Sequence, residues 1–188
     1  MATVLLFHHA QGQTSGFLAF ADGLREAGHT VHAPDLYEGR TFADLDQGVA
    51  YAESVGMDEI VRRGAAAAEG LPDEVVYAGF SLGALPAQSL AQTRPGARGA
   101  LLFHGGVPAA ALDGTWPHRV PLEIHTMDAD EWTEIDVVEA LVAEADDGQL
   151  FLYPGSGHLF ADASLGDHDE QAAALLTART LEFLQRVG

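Results

Sequence analysis

No cysteine and no lysine occur in the 188 residues. The first absence excludes disulfides, thiolate metal sites and a cysteine nucleophile. The second removes the P-loop lysine and Schiff-base chemistry. Any nucleophile must therefore be Ser, Thr, Asp, Glu, His or Tyr. Positive charge is scarce too: nine basic residues, all arginine, stand against 28 acidic ones, a net charge of −19. Such a surface repels nucleic acid and anionic membranes, and it disfavours polyanionic substrates at long range. The acidity reads first as solubility; adaptation to high salt is the second reading. Long hydrophobic runs are missing as well, so no segment spans a bilayer. Met1–Phe7 has no positively charged lead-in and no small-residue cleavage site, and it reads as a buried strand. The expected location is the cytoplasm.

What is present is ordinary for a globular chain: 47% hydrophobic residues, 21 Gly and 8 Pro. The length suits one domain over residues 1–188, with room for a sheet covered on both faces. Short apolar runs alternate with helix-periodic stretches. Strands are expected at Val4–His8, His29–Ala33, Glu74–Ala78, Arg98–His104, Val120–Thr126 and Gln149–Tyr153. Helices are expected at Gly16–Ala27, Leu45–Val55, Asp58–Glu69, Leu82–Gln92, Glu131–Glu144 and Asp169–Arg186. This alternation implies an α/β fold, a mostly parallel sheet of about six strands with helices on both faces. The connection from Gly105 to Arg119 is too short for an inserted lid, so no cap domain is expected.

In such sheets the chemistry sits in loops at the carboxyl ends of the strands. The third expected strand runs into Gly79-Phe80-Ser81-Leu82-Gly83 and then a helix. This is the G-x-S-x-G nucleophile elbow in the strand–turn–helix context that it requires. The serine takes a strained backbone conformation, and the flanking glycines lack a Cβ where strand and helix approach. Ser81 needs a base and the base an orienting acid. After the fifth strand comes Thr126-Met127-Asp128-Ala129-Asp130-Glu131-Trp132, and after the sixth Pro154-Gly155-Ser156-Gly157-His158-Leu159-Phe160. His158 is taken as the base. Asp130 is favoured as the acid over Asp128, which suits a loop cap. The order Ser81, Asp130, His158 is that of α/β-hydrolases.

The oxyanion hole should combine the N–H of Leu82 with one from His8-His9-Ala10-Gln11-Gly12, where Ala10 leads and Gln11 is the alternative. Adjacent histidines there lack the carboxylate motif of a metal site, and no metal or cofactor is expected. His9, Gln11, Phe80, His104, Trp132 and Phe160 are possible pocket residues. His104 and His125 read by default as core or rim histidines. Trp116, Trp132 and Phe160 either wall a pocket or anchor loops. No G-x-G-x-x-G follows the first strand, which speaks against hydride transfer.

With the elbow, Asp130 and His158 in place, the chain resembles the dienelactone hydrolase family of α/β-hydrolases. Pro34-Asp35-Leu36-Tyr37-Glu38-Gly39, Ile124-His125 before Asp130, and Gly157-His158 with Phe160-Ala161 are similar to that family's segments. The resemblance covers nearly the whole chain and implies an α/β-hydrolase fold and hydrolysis of an ester or lactone. Two departures stand out. Family members that open dienelactone use a cysteine where this chain has Ser81, with a first-loop glutamate that His9 replaces. They also bind the substrate carboxylate with arginines, one of them four residues beyond the catalytic histidine, where Asp162 stands here. The resemblance therefore argues against dienelactone as substrate. The expected function is a serine hydrolase cleaving a small ester or lactone through an acyl-enzyme. Acidity from Asp35, Glu38 and Asp162 near the mouth favours neutral or cationic substrates, with no nucleic acid or membrane partner. The alternatives are an acyltransferase, thioesterase or peptidase using the same three residues, or a non-catalytic ligand-binding member of the fold.

Overall fold

A computed structural model describes residues 1–112 and 114–188. Six strands form one parallel sheet: β1 (Thr3–Phe7), β2 (Thr30–His32), β3 (Val76–Phe80), β4 (Gly99–Phe103), β5 (Leu122–Met127) and β6 (Gly148–Tyr153). Their spatial order is β2-β1-β3-β4-β5-β6. The chain first moves from β1 out to β2, then crosses back to add β3 on the other side of β1. That reversal opens a crevice between the carboxyl ends of β1 and β3, the place where open parallel sheets hold their ligands.

Period-2 alternation sends side chains to two apolar layers. Leu5, Phe7, Tyr77, Leu102 and Ile124 pack on one face. Val4, Leu6, Ala78, Phe80, Leu101 and Phe103 pack on the other. Helices α2 (Leu45–Val55), α3 (Met57–Ala67), α4 (Ala84–Thr93) and α5 (Ile135–Ala143) contribute Ala52, Ile60, Ala87 and Leu141 to the first layer. Helices α1 (Ser15–Glu26) and α6 (Glu170–Val187) contribute Phe17, Leu24, Leu176 and Phe183 to the second. The hydroxyl of Thr14 and the carboxylates of Asp44 and Asp169 cap α1, α2 and α6 by accepting from Phe17, Gln47 and Ala172 N–H groups. These side chains satisfy donors that helix starts leave open.

Most elements differ from expectation by one or two residues at an end, and two of the shifts lie next to the site. Strand β3 extends through Gly79 and Phe80, because the elbow begins only at the serine. Helix α5 starts at Ile135 rather than Glu131. The Asp130 carboxylate accepts the Trp132 N–H at 2.9 Å, and the Asp130 carbonyl accepts the Thr133 N–H at 3.2 Å. Local bonds of this kind compete with the helix and hold residues 130–133 as a turn. Between β4 and β5 the described residues contain one short 3₁₀ turn, Ala109–Leu112, and no cap.

Candidate active site

Ser81 follows β3 directly and carries φ of 49°, in the left-handed region that costs a non-glycine residue energy. The neighbours make the turn possible. A Cβ on Gly79 would lie 2.0 Å from the Gly83 carbonyl oxygen, and one on Gly83 would lie 2.5 Å from that of Phe7. Glycine is thus required at both places by backbone contact. The same contact brings the end of β1 against the elbow.

The Ser81 hydroxyl lies 2.7 Å from His158 Nε2, and His158 Nδ1 lies 2.8 Å from Asp130 Oδ2. These partners assign the ring: Nδ1–H donates to the carboxylate, and Nε2 accepts from the serine. Asp130 is itself held. Its carboxylate also accepts from the Thr133 hydroxyl at 2.9 Å and the Thr126 hydroxyl at 3.3 Å. Burial alone would raise the Asp130 carboxyl, but His158, the Trp132 N–H and Thr133 together outweigh it and hold the group below its ordinary value. The result is a carboxylate fixed beside the imidazole.

Asp128 does different work. Its Oδ1 accepts the Gly155 N–H at 3.0 Å, while the Ala129 N–H donates to the Gly155 carbonyl at 2.9 Å. These bonds tie the loop after β5 to the loop that carries His158.

The cleft beside Ser81 has a volume of about 210 Å³ and is lined on its apolar side by Met57, Leu85, Val107 and Trp132. Trp132 is 53% exposed, and its ring centroid is 5.7 Å from that of His158. His104, Gly105 and Gly106 form another wall. His104 has φ of 65°. Its ring turns inward onto Phe160 with centroids 4.7 Å apart, and neither ring nitrogen has a partner among the described residues. Burial, then the neighbouring His158 and His9 rings, push its protonation far down, so it stays neutral.

Of the six residues expected around a pocket, only His104 and Trp132 line this cleft. Phe80 and Phe160 are interior side chains of the layer beneath. Gln11 is buried and donates to the Phe42 carbonyl at 3.2 Å. His9 is fully buried, with Nε2 2.8 Å from Asp162 Oδ2. Asp162 is only 1% exposed, so the expected acidity at the mouth does not include it. Trp116 anchors a loop through a 2.8 Å bond from its indole N–H to the Val120 carbonyl. His125 is buried against the Tyr153 hydroxyl at 2.9 Å. Sequence reasoning missed the His9–Asp162 contact and the two threonines on Asp130. The first had a signal: both residues mark departures from the family pattern.

Among the described residues no group of three or more His, Asp or Glu is placed to hold a metal ion. No described helix is long and apolar enough to cross a membrane.

No curated relative matches the sequence. Solved structures share the fold at low identity. A dienelactone hydrolase-like promiscuous phosphotriesterase from metagenomic libraries is 20% identical with a TM-score of 0.80, over 100% of this chain and 87% of that one. Dienelactone hydrolase from Anabaena variabilis is 17% identical with a TM-score of 0.72, over 100% and 87%. A thermophilic esterase from Thermogutta terrifontis is 19% identical with a TM-score of 0.65, over 100% and 84%. The dienelactone hydrolase family pattern itself matches residues 1–188, and the chain accordingly belongs to the dienelactone hydrolase family of α/β-hydrolases.

Proposed function

We propose that this member of the family is a serine hydrolase acting on small neutral or cationic esters or lactones through an acyl-enzyme. The observation that carries the reading is the continuous path from the Ser81 hydroxyl through His158 to Asp130, with steps of 2.7 and 2.8 Å. His158 Nε2 takes the Ser81 proton as the oxygen bonds to the ester carbonyl carbon. The Leu82 and Ala10 N–H groups hold the resulting oxyanion. His158 then returns the proton to the departing alkoxide, leaving an acyl-serine. In the second half His158 deprotonates water, which attacks the acyl carbon, and Ser81 recovers its proton as the acid leaves. Preorganised oxyanion donors supply much of the acceleration, on the order of 10²–10³ for one of them.

Three features support the substrate class. Among the described residues no arginine lines the cleft, so a substrate carboxylate meets no cation from them. The exposed Trp132 face and Met57 offer apolar contact to an uncharged group. The net charge of −19 repels anions. A small acyl group fits the modest volume, and the Thermogutta terrifontis esterase is described with butyrate bound.

Ser81→Ala, assayed with a short-chain aryl ester, should lose on the order of 10⁴–10⁶-fold in kcat. Retained turnover would sink the serine mechanism. A panel of neutral, cationic and carboxylate-bearing esters at several salt concentrations tests the substrate class, with a phosphotriester added because of the phosphotriesterase neighbour. A clear preference for the carboxylate-bearing ester would overturn it.

A further inference from the structure

A buried polar cluster beside the Ala10 loop has no part in the proposed reaction. His9 stands just beyond β1, in the loop that carries Ala10, and Asp162 stands four residues beyond His158. The His9 Nδ1 accepts the Gln11 N–H at 3.2 Å, which leaves Nε2 to carry the proton that faces Asp162. The His9 carbonyl accepts the Gly12 N–H at 3.0 Å and the His8 Nδ1–H at 2.7 Å. His8 in turn accepts the Leu36 N–H at 3.0 Å. From the other side, a Cβ on Gly48 of α2 would lie 2.2 Å from the Ala10 carbonyl oxygen. Ala10 is thus gripped on both flanks.

Asp162 is the far anchor of that grip. One oxygen accepts from His9 and the Thr14 hydroxyl. The other accepts the Ser164 N–H at 2.8 Å and the Ser164 hydroxyl at 2.6 Å. The Asp162 N–H donates to the Leu159 carbonyl at 3.0 Å, closing a turn that begins next to His158. The fold makes room for this carboxylate, since a Cβ on Gly16 at the start of α1 would lie 1.8 Å from Asp162 Oδ1. Four donors occupy the carboxylate inside the protein, so it has no capacity left for a substrate cation.

We propose that the His9–Asp162 pair is a positioning brace that ties the Ala10 loop to the His158 loop across Ser81. It rests on the serine-hydrolase reading above, and neither residue touches substrate. The brace keeps the second oxyanion donor and the general base in fixed relation while charge develops on the carbonyl oxygen. A displacement of about 1 Å in such a constellation costs about 10²-fold in rate.

The test compares Asp162→Asn, His9→Ala and His9→Gln with the native protein. Readouts are kcat and KM on a neutral aryl ester, the rate of fluorophosphonate labelling, and thermal melting to verify the fold. Asn is nearly isosteric, but both oxygens of Asp162 face donors, so an amide must point its NH₂ at one of them. Asp162→Asn and His9→Ala should lose roughly 10–100-fold in kcat with KM changed less than about threefold, and labelling should slow in parallel. His9→Gln keeps a donor toward Asp162 and should recover much of the loss. Unchanged kcat in folded Asp162→Asn or His9→Ala, a loss confined to KM, or no recovery in His9→Gln overturns the brace. Should Asp162→Asn not fold, Ser164→Ala, which removes one donor from the same carboxylate, decides. A drop of about threefold in its kcat at constant KM supports the brace, and an unchanged kcat overturns it. Turnover in Ser81→Ala would remove the underlying reading. An inactive Ser81→Ala beside a fully active Asp162→Asn removes the brace alone.

Discussion

Among the described residues are two buried histidine–aspartate pairs with the same 2.8 Å separation, His158–Asp130 and His9–Asp162. In both, one imidazole nitrogen meets a carboxylate that also accepts hydroxyl and backbone donors, and in both the carboxyl is held below its ordinary value. The difference lies at the other ring nitrogen. In the first pair it meets the hydroxyl of Ser81 at the floor of an open cleft. In the second it meets the backbone N–H of Gln11 in the interior. A hydroxyl can give up a proton to the ring and attack; a backbone amide can only be held. The pairing of histidine with aspartate therefore does not distinguish chemistry from scaffolding. What the third group is, and whether a substrate can reach it, does.

The largest expected effect breaks the comparison from the first side. Asp130→Asn leaves the shape intact but offers an NH₂ where Nδ1–H needs an acceptor, which favours the wrong tautomer. The expected loss is about 10⁴-fold in kcat on a neutral aryl ester. Asp128→Asn should stay within a few-fold, because Asp128 accepts only from a loop N–H. If Asp128→Asn proved the inactive one, the assignment of the acid would reverse.

How far this contrast is legible in the sequence depends on distance along the chain. The elbow and the strand–helix alternation are local patterns, so Ser81 and the α/β fold can be read directly. Asp130 and His158 are placed by order after successive strands, which fixes the loops but not the bonds. Choosing Asp130 over Asp128 needed a coarse expectation, and its basis in space is the turn at 130–133 that also delays α5. The His9–Asp162 contact joins residues 153 apart. No periodicity or spacing encodes such a contact, and Asp162 consequently read as a charge at the mouth. The pocket suffered likewise: Phe80, Phe160 and Trp116 lie in or beside active-site loops, yet strand alternation and loop folding turn each inward.

Stability should separate the pairs in the opposite order from activity. Asp162→Ala leaves His9, wholly buried, and the hydroxyls of Thr14 and Ser164 without their acceptor. Stranding buried donors in this way is expected to cost about 3 kcal/mol. Asp130→Ala also frees four donors, His158 Nδ1–H, the Trp132 N–H and the hydroxyls of Thr126 and Thr133, but fewer of them stay without a partner. The Thr126 hydroxyl already reaches Thr133 at 3.1 Å, and His158 borders the cleft where water can meet it, so about 1 kcal/mol is expected. Urea unfolding of both variants checks this. Equal losses, or the larger one in Asp130→Ala, would erase the distinction between a working pair and a holding pair.

The smallest effect is in the acid limb of stability, and it sharpens the comparison because both pairs contribute with one sign. At Asp162 burial would raise the carboxyl, but bonds from His9, Ser164 and Thr14 together win and hold it well below the usual range. The same balance operates less strongly at Asp130. Each native carboxyl thus takes up its proton less readily than in the unfolded chain. Their stabilisation is present above the unfolded value, about 3.9, and drains away as pH falls below it. Buried His8 and His104, whose protonation burial pushes down, also cost stability as pH falls, in the native protein and in both variants; two surface effects overlap this window as well. Relief of repulsion among 28 acidic residues raises stability as pH falls, and partly exposed Glu59, lowered to about 2 by Arg62 and Arg63, lowers it. Salt screens both of these surface contributions and leaves buried pairs nearly untouched. Unfolding free energies measured in molar salt between pH 5 and pH 3 should therefore fall less steeply in Asp162→Ala than in the native protein, with Asp130→Ala between them. An unchanged slope in Asp162→Ala would mean that its carboxyl is not held in the charged form by His9, Thr14 and Ser164.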